Sequence, residues 1–297
     1  MQSGGGWLTG VVIGVFSAPG GTGKTTISLV LGWLLRRAGN KVLLVDLDPS
    51  ISLSYLVLRD ESKLFEYENR GRCLSRVFER VRKGRSVELE DYVVSGKAID
   101  VEVDILIPDS ELTSIIDSLW YGPEARKEYK LRRVLEALGV REAYDFIIID
   151  TIPFFDRKYA ILTLYGSDKC IIPLRPTIID VFRTCKMLSE LPALAGKPKK
   201  EVFDQVRLLF NMVRRNTAQY WALMRGRYQE IIRGVISPHI SFFKKHIPLR
   251  VAFSRVSTEE ERAEDVRDVE EATLPVLSEF QQWIGRPSEA DKAEAME

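Results

Sequence analysis

The sequence predicts an α/β fold, a doubly wound, mostly parallel sheet flanked by helices, and two observations carry that expectation. Short runs of nearly unbroken aliphatic and β-branched residues recur along the chain, the mark of strands covered on both faces. Stretches of helical character separate them, which is the alternation that builds a parallel sheet through βαβ units. A ligand of such a sheet sits at the carboxyl ends of the strands. At 297 residues the chain is long enough to bury a full core.

The first run is Val11–Ser17, and the helix after it is expected from Thr25 to Ala38, closed by Gly39. Further strands are expected at Val42–Asp46, Val103–Ile107, Phe146–Asp150, Cys170–Leu174 and Val206–Asn211. Helices are expected at Pro123–Leu138, Ile178–Leu191 and Asn216–Arg233. A last helix should begin after Ser257, whose Ser-Thr-Glu-Glu spacing offers a capping box with Glu260, and run through Trp283 to a stop at Gly285. With no internal repeat or low-complexity linker, a single domain is expected over residues 11–286. A flexible N-terminus (1–10) precedes it and a polar tail (287–297) follows.

Between the first strand and the first helix stands Ala18-Pro-Gly-Gly-Thr-Gly-Lys-Thr-Thr26. A chain turning around Gly20, Gly21 and Gly23 points several backbone N–H groups inward. With the positive end of the helix dipole they form a cradle for phosphate, to which Thr22 and Thr26 also belong. Lys24 would reach the terminal phosphates, and the Thr25 hydroxyl would ligate the Mg2+ that accompanies them. The pattern implies a nucleoside triphosphate. Two acidic motifs lie where its chemistry wants them. Asp46 and Asp48 close the second strand in Val-Leu-Leu-Val-Asp-Leu-Asp-Pro, and Asp150 ends Phe-Ile-Ile-Ile-Asp-Thr. A carboxylate at the end of a hydrophobic strand can hold Mg2+, often through water.

Composition is that of a globular protein, 45% hydrophobic and 29% charged. No apolar run approaches the ~18 residues of a membrane span, and the N-terminus lacks the basic region of a signal peptide. The three cysteines, Cys73, Cys170 and Cys185, are scattered, which implies no disulfide framework, zinc site or iron–sulfur cluster. The net charge of +1 hides opposite patches. Arg70–Arg85 carries Arg70, Arg72, Arg76, Arg80, Arg82, Lys83 and Arg85 against Glu79. Arg214–Arg250 carries Arg214, Arg215, Arg225, Arg227, Arg233, Lys244, Lys245 and Arg250 against Glu230. Either segment is a solvated helix face or a surface for an anionic partner.

Taken together, Gly20-Gly-Thr-Gly-Lys-Thr-Thr26, Leu43-Leu-Val-Asp-Leu-Asp-Pro49, Asp104-Ile-Leu-Ile-Pro108 and Tyr144-Asp-Phe-Ile-Ile-Ile-Asp-Thr151 resemble the ParA/MinD family of P-loop ATPases with a deviant Walker A motif. That family belongs to the SIMIBI class of P-loop NTPases. Ile171-Ile-Pro173 and Phe210-Asn-Met212 match later family strands, so the resemblance covers roughly Val11 to Phe253. It implies that Asp48 positions or activates the attacking water and that Asp46 and Asp150 support Mg2+. It implies as well that Asn211 reads the adenine edge, with the segment around Pro248 closing over the base. Family members sandwich two ATP molecules between two subunits, and the ATP-bound dimer recruits its partner surface.

One departure stands out. The family pattern begins Lys-Gly-Gly, with a lysine that reaches across the dimer, and this chain has Pro19 there. Proline supplies neither charge nor a donor. Hydrolysis is then slow, draws on a basic group from elsewhere, or is lost, while Lys24 and the backbone cradle keep nucleotide binding. The acidic tail would be repelled by anionic lipid, unlike the basic amphipathic end of the membrane-bound branch, so no membrane partner is expected. The resemblance is nearest to the DNA-partitioning (Soj-like) branch. It implies a cytoplasmic, nucleoid-associated homodimer on ATP, binding double-stranded DNA nonspecifically through Arg214, Arg215, Arg225, Arg227, Arg233, Lys244 and Lys245. A ParB-like centromere-binding protein would be its partner. The aromatics Tyr220, Trp221 and Tyr228 in that stretch are expected in the core. A non-hydrolysing ATP-dependent scaffold and a cargo-positioning MinD-like ATPase remain as alternatives.

Overall fold

The computed structural model describes residues 10–153, 155–256, 258 and 262–285. Its centre is an eight-stranded sheet of order β3-β4-β2-β5-β1-β6-β7-β8. The strands are β1 (Val11–Val15), β2 (Val42–Asp46), β3 (Val94–Ala98), β4 (Val101–Leu106), β5 (Phe146–Asp150), β6 (Lys169–Leu174), β7 (Val206–Phe210) and β8 (Ser241–Phe242). Every pairing is parallel except the β3–β4 hairpin at one edge. The five hydrophobic runs after the first appear as strands within a few residues of their expected bounds.

Alternate side chains of the central strands enter two apolar layers. Val11, Ile13 and Val15 of β1 face the helix Lys24–Arg37 and the long C-terminal helix Ala263–Trp283. Val12, Leu43, Val45, Ile147 and Ile149 point the other way, into a layer built with Leu74–Arg82, Leu112–Tyr121 and Lys130–Ala137. Burial on both faces is why these strands read as unbroken hydrophobic runs. Among the described residues no helix is long and apolar enough to cross a membrane.

Several helices differ from expectation, each for a local reason. The expected Pro123–Leu138 helix begins only with a 3-10 turn at Lys127–Tyr129 and then runs Lys130–Ala137. Arg126 adopts φ 53°, and Glu124 is drawn out to Arg82 (2.6 Å) and Lys130. Asn216–Arg233 is two helices, Ala218–Met224 and Arg227–Val235, because Gly226 turns left-handed (φ 75°) between them. Ile178 opens a helix that continues past Leu191 to Ala195, carries Pro192 in its last turn and stops at Gly196. The C-terminal helix starts at Ala263 and ends before Gly285, as expected, whereas the Ser257–Glu260 capping box falls outside the described residues, as do residues 1–9 and the tail from 286.

The β3 strand, Val-Ser-Gly-Lys-Ala, carries too few apolar residues to be read from sequence. Its pairing with β4 makes it a strand, with Gly96 set against the Val57 backbone where a Cβ would lie 2.6 Å from a carbonyl oxygen.

Candidate functional site

Strand β1 leads straight into the glycine-rich loop, and the loop into the helix Lys24–Arg37. Gly21 (φ 66°) and Gly23 (φ 83°) take the left-handed conformation that other residues adopt only under strain, and Gly23 is the N-cap of that helix. No side chain caps this N-terminus, so its first N–H groups are left for a ligand.

Inside the loop the Lys24 ammonium donates to the Ser17 hydroxyl (3.0 Å), and Ser17 in turn donates to the Pro19 carbonyl (2.9 Å). With its one hydrogen committed, Ser17 accepts from the Thr22 hydroxyl at 2.9 Å. Pro19 is thus buried, its carbonyl turned into the loop. Burial pulls the Lys24 pKa down, while Asp150 and Asp48 pull it back up.

Asp46 and Asp150 lie opposite each other at the ends of β2 and β5, and both are fully buried. Desolvation raises each carboxyl to about 7, against the hydrogen bonds that favour the charged form. Their surroundings differ. Asp46 accepts from the Asp48 N–H (3.0 Å), the Ser54 N–H (2.9 Å) and the Ser54 hydroxyl (2.7 Å). It therefore braces the turn that carries Asp48. Asp150 accepts from Ser28 (3.0 Å) and is bonded to Thr25, but its Oδ2 is buried without a partner.

An orphaned, fully buried carboxylate oxygen beside the Thr25 hydroxyl is a donor set of hard oxygens, and it fits Mg2+. Among the described residues no cluster of three or more His, Cys, Asp or Glu could hold a metal alone. That too suits Mg2+, which takes one or two carboxylates plus phosphate and water in place of an all-protein cage.

On the far side of the loop the Asn211 amide donates to the Thr22 carbonyl at 2.8 Å. Pro248 comes to the same place because Val213 bridges to it after the end of β7. Asn211, Met212 and Pro248 line a mostly apolar cavity of about 530 Å3, walled by Val30, Leu34 and Phe280 among others, with Thr26, Arg214 and Arg250 also on its lining. The two residues expected at a base are therefore brought together with the loop.

The two basic segments, alike in sequence, differ in structure. Arg70, Arg76, Arg82 and Lys83 are ion-paired with Glu66, Glu79, Glu111 or Glu124, and Arg72 and Arg80 are spent on backbone carbonyls. In the second segment Arg214, Arg215, Arg225, Arg227, Arg233, Lys244 and Lys245 are all exposed, and none of their side chains forms an ion pair among the described residues. Arg250 is the exception, paired with Asp268. Arg215 and Lys245 flank His246 and push its pKa down together with burial, the larger cause. Arg233 and Lys244 share an edge cleft with Arg207, and Arg233 lies over the Phe242 ring. Of the aromatics, Tyr228 is core, whereas Trp221 is exposed.

Ser17, Ser28 and Ser54 are functional neighbours that the sequence motifs do not announce. Ser28 had a faint signal, one helical turn beyond Lys24 and so on its face. Ser54 had none, because its bond to Asp46 depends on how the segment after β2 folds back.

A family profile described as an AAA domain matches residues 10–189, more than half of the chain. An uncharacterized protein of Methanocaldococcus jannaschii, MJECL24, is 35% identical over 203 residues, which cover 68% of this chain and 73% of that one. The chromosome partitioning protein ParA of Caulobacter vibrioides is 25% identical over 213 residues, 69% of this chain and 71% of its own length. In fold, a variant of McdA from Cyanothece in complex with ATP superposes with a TM-score of 0.66 at 18% identity, over 93% of this chain and 96% of that one.

Proposed function

The chain belongs to the ParA/MinD family of P-loop ATPases, and on that premise we propose that it is a partition ATPase that binds ATP with Mg2+, pairs with a second copy around the nucleotide and then holds DNA without regard to sequence. The observation that carries this reading is the grouping of the buried Lys24, Asp48 and Asp150 with the half-buried Thr25 at the carboxyl ends of β1, β2 and β5.

In this reading the loop from Gly20 to Thr26 wraps the phosphates and Lys24 meets the β- and γ-phosphates. Thr25 and Asp150 hold Mg2+, which when bound neutralises charge on the phosphates. Asp46 keeps the turn after β2 in place, so that Asp48 orients the attacking water. Asn211 and Pro248 frame the base. The chain acts as one nucleotide-binding unit, in the cytoplasm and on the nucleoid, with a ParB-like protein as partner.

The DNA half of the proposal is supported by the seven exposed cations of the second basic segment, whose side chains form no ion pairs among the described residues. Neutralising phosphate releases condensed counterions, so binding should be strong with ATP, weak with ADP, indifferent to sequence and steeply salt-dependent. Filter binding of random duplex DNA at two salt concentrations tests it. R225E/R227E should weaken retention and leave ATP affinity unchanged. No retention with ATP at low salt would overturn the partition reading in favour of a cargo-positioning ATPase.

The buried Pro19 favours one second reading, a scaffold that binds ATP and releases its partner by exchange, without hydrolysis. A turnover assay separates the two.

A further inference from the structure

Two isoleucines of this chain carry left-handed backbone angles, Ile51 at φ 56° and Ile99 at φ 59°. A β-branched residue is an outlier in that region, because its Cβ comes too close to the following carbonyl oxygen. Ile99 has a local reason. It stands in the two-residue connection between β3 and β4, and tight hairpin turns call for φ > 0. Ile51 has no such reason. It stands three residues after Asp48, as the N-cap of the helix Ser52–Leu58.

That position fixes how Asp48 is held. The Ile51 N–H donates to the Asp48 carbonyl at 2.9 Å and closes a β-turn with Pro49 as its second residue. Within the turn the Ser50 N–H donates to Asp48 Oδ1 at 2.9 Å. The carboxylate is therefore aimed by a turn that ends in the strained residue.

The helix beyond the turn gives little support of its own. It is seven residues long, no side chain caps its N-terminus, and it ends at Arg59, again left-handed at φ 51°. What holds it is tertiary. Ser54 is bonded to Asp46, Leu53 and Val57 are in the core, and the Val57 backbone lies against Gly96. Strain of this kind persists only where such contacts over-determine it. Asp46 and Ser54 thus pull the turn closed, and Ile51 pulls it open.

We propose that Ile51 is a positioning residue for Asp48 and, through its strain, a brake on ATP turnover. The closed turn seen in the structure exchanges with an open one of comparable population, in which the bond from Ile51 to the Asp48 carbonyl is broken. Asp48 orients the attacking water only while the turn is closed. This role rests on the proposed function; the strain does not.

Asparagine enters the left-handed region far more readily than isoleucine and keeps a Cβ, so Ile51→Asn relieves the strain without adding freedom to the open chain. Hydrogen exchange of residues 47–55 in the full chain, which include the Ile51 and Ser54 amides, should slow by ~5-fold in I51N. Turnover should rise by ~2-fold or more as the closed turn gains population, with ATP affinity unchanged. I51G should move both in the same direction, and I51V, still β-branched, should move neither. I51N should also restore turnover lost in S54A. Exchange that is unchanged or faster in I51N and I51G, turnover that does not rise, or an I51V that matches I51N would each overturn the proposal. Failure of the ATPase reading would show separately, as no turnover in the wild type or any variant while the exchange contrast persists.

Discussion

The side-chain amide of Asn211 occupies the place where a side chain on Gly23 would stand. Its nitrogen donates to the Thr22 carbonyl at 2.8 Å, and a Cβ built on Gly23 would lie 2.5 Å from it. The phosphate loop and the end of β7, 189 positions apart in the chain, are locked by this pair. Gly23 is also left-handed, at φ 83°. Gly23→Ala should therefore cost stability twice, through backbone strain of about 1–3 kcal/mol and through displacement of Asn211. Adding Asn211→Ala removes only the second cost. Urea denaturation of the single and double variants measures the split, and full recovery in the double variant would show that the backbone angle costs nothing.

Lys24→Ala removes the cation that stands at the loop's centre, held by Ser17 at 3.0 Å. A charge-assisted contact of this kind is worth about 1.5–3 kcal/mol, so ATP affinity should fall by at least ~10-fold. Equilibrium dialysis reads it directly, and an unchanged affinity would remove the nucleotide from this loop.

Asp48→Ala should retain ATP and lose turnover by ~100-fold or more, the usual contribution of a positioned base. Its partner test is Ser54→Ala. That change releases one of the bonds from Ser54 to Asp46 and loosens the turn, so turnover should fall less than in Asp48→Ala, with ATP affinity kept. Steady-state ATPase assays with parallel binding measurements distinguish base from brace.

Pro19→Lys places a charge where the loop has none. If hydrolysis is limited by that missing cation, turnover or the ATP-dependent pairing of subunits rises. The Ser17–Pro19 contact uses only the carbonyl of residue 19, so the loop can keep its shape in the variant. Unchanged turnover in a wild type that already hydrolyses briskly would mean that another basic group supplies the charge.

Asp46 and Asp150 give the metal-free protein a distinct pH response. Both carboxyls titrate near 7 when folded, against 3.8 for an aspartate in water, because burial penalises their charge. A group whose folded pKa is raised adds stability that is complete below its unfolded pKa and lost as pH rises through the folded value. In EDTA the protein should lose stability between about pH 4 and 7 from this pair, and Asp150→Asn should flatten the slope. Thermal melts across that range test it, and a wild type that gains stability there through no other group would contradict the assignment.

The locally encoded parts of this molecule are legible in the amino-acid sequence. Unbroken apolar runs, the glycines of Gly20–Gly23 and the acids at the ends of β2 and β5 each act within a few residues, so Lys24, Asp46, Asp48 and Asp150 can be placed together at one end of a parallel sheet. Boundaries fare less well where tertiary contact overrides local preference, as when Arg82 and Lys130 pull Glu124 out of a helix or when Gly226 divides another. The strand β3 is hidden because its identity comes from pairing with β4 and not from its own side chains.

By itself the sequence determined the strand–loop–helix phosphate cradle and the doubly wound sheet, because turn chemistry and hydrophobic period are short-range properties. Only the tertiary structure decided which charges are spent. Arg76 and Arg214 look alike in sequence, yet Arg76 meets Glu79 and Glu111 while Arg214 meets no acid among the described residues. Likewise Asp46 is consumed by Ser54, whereas Asp150 keeps an oxygen free. Whether a polar group is neutralised depends on partners brought from elsewhere in the chain, and those arrive only when the sheet and its helices close.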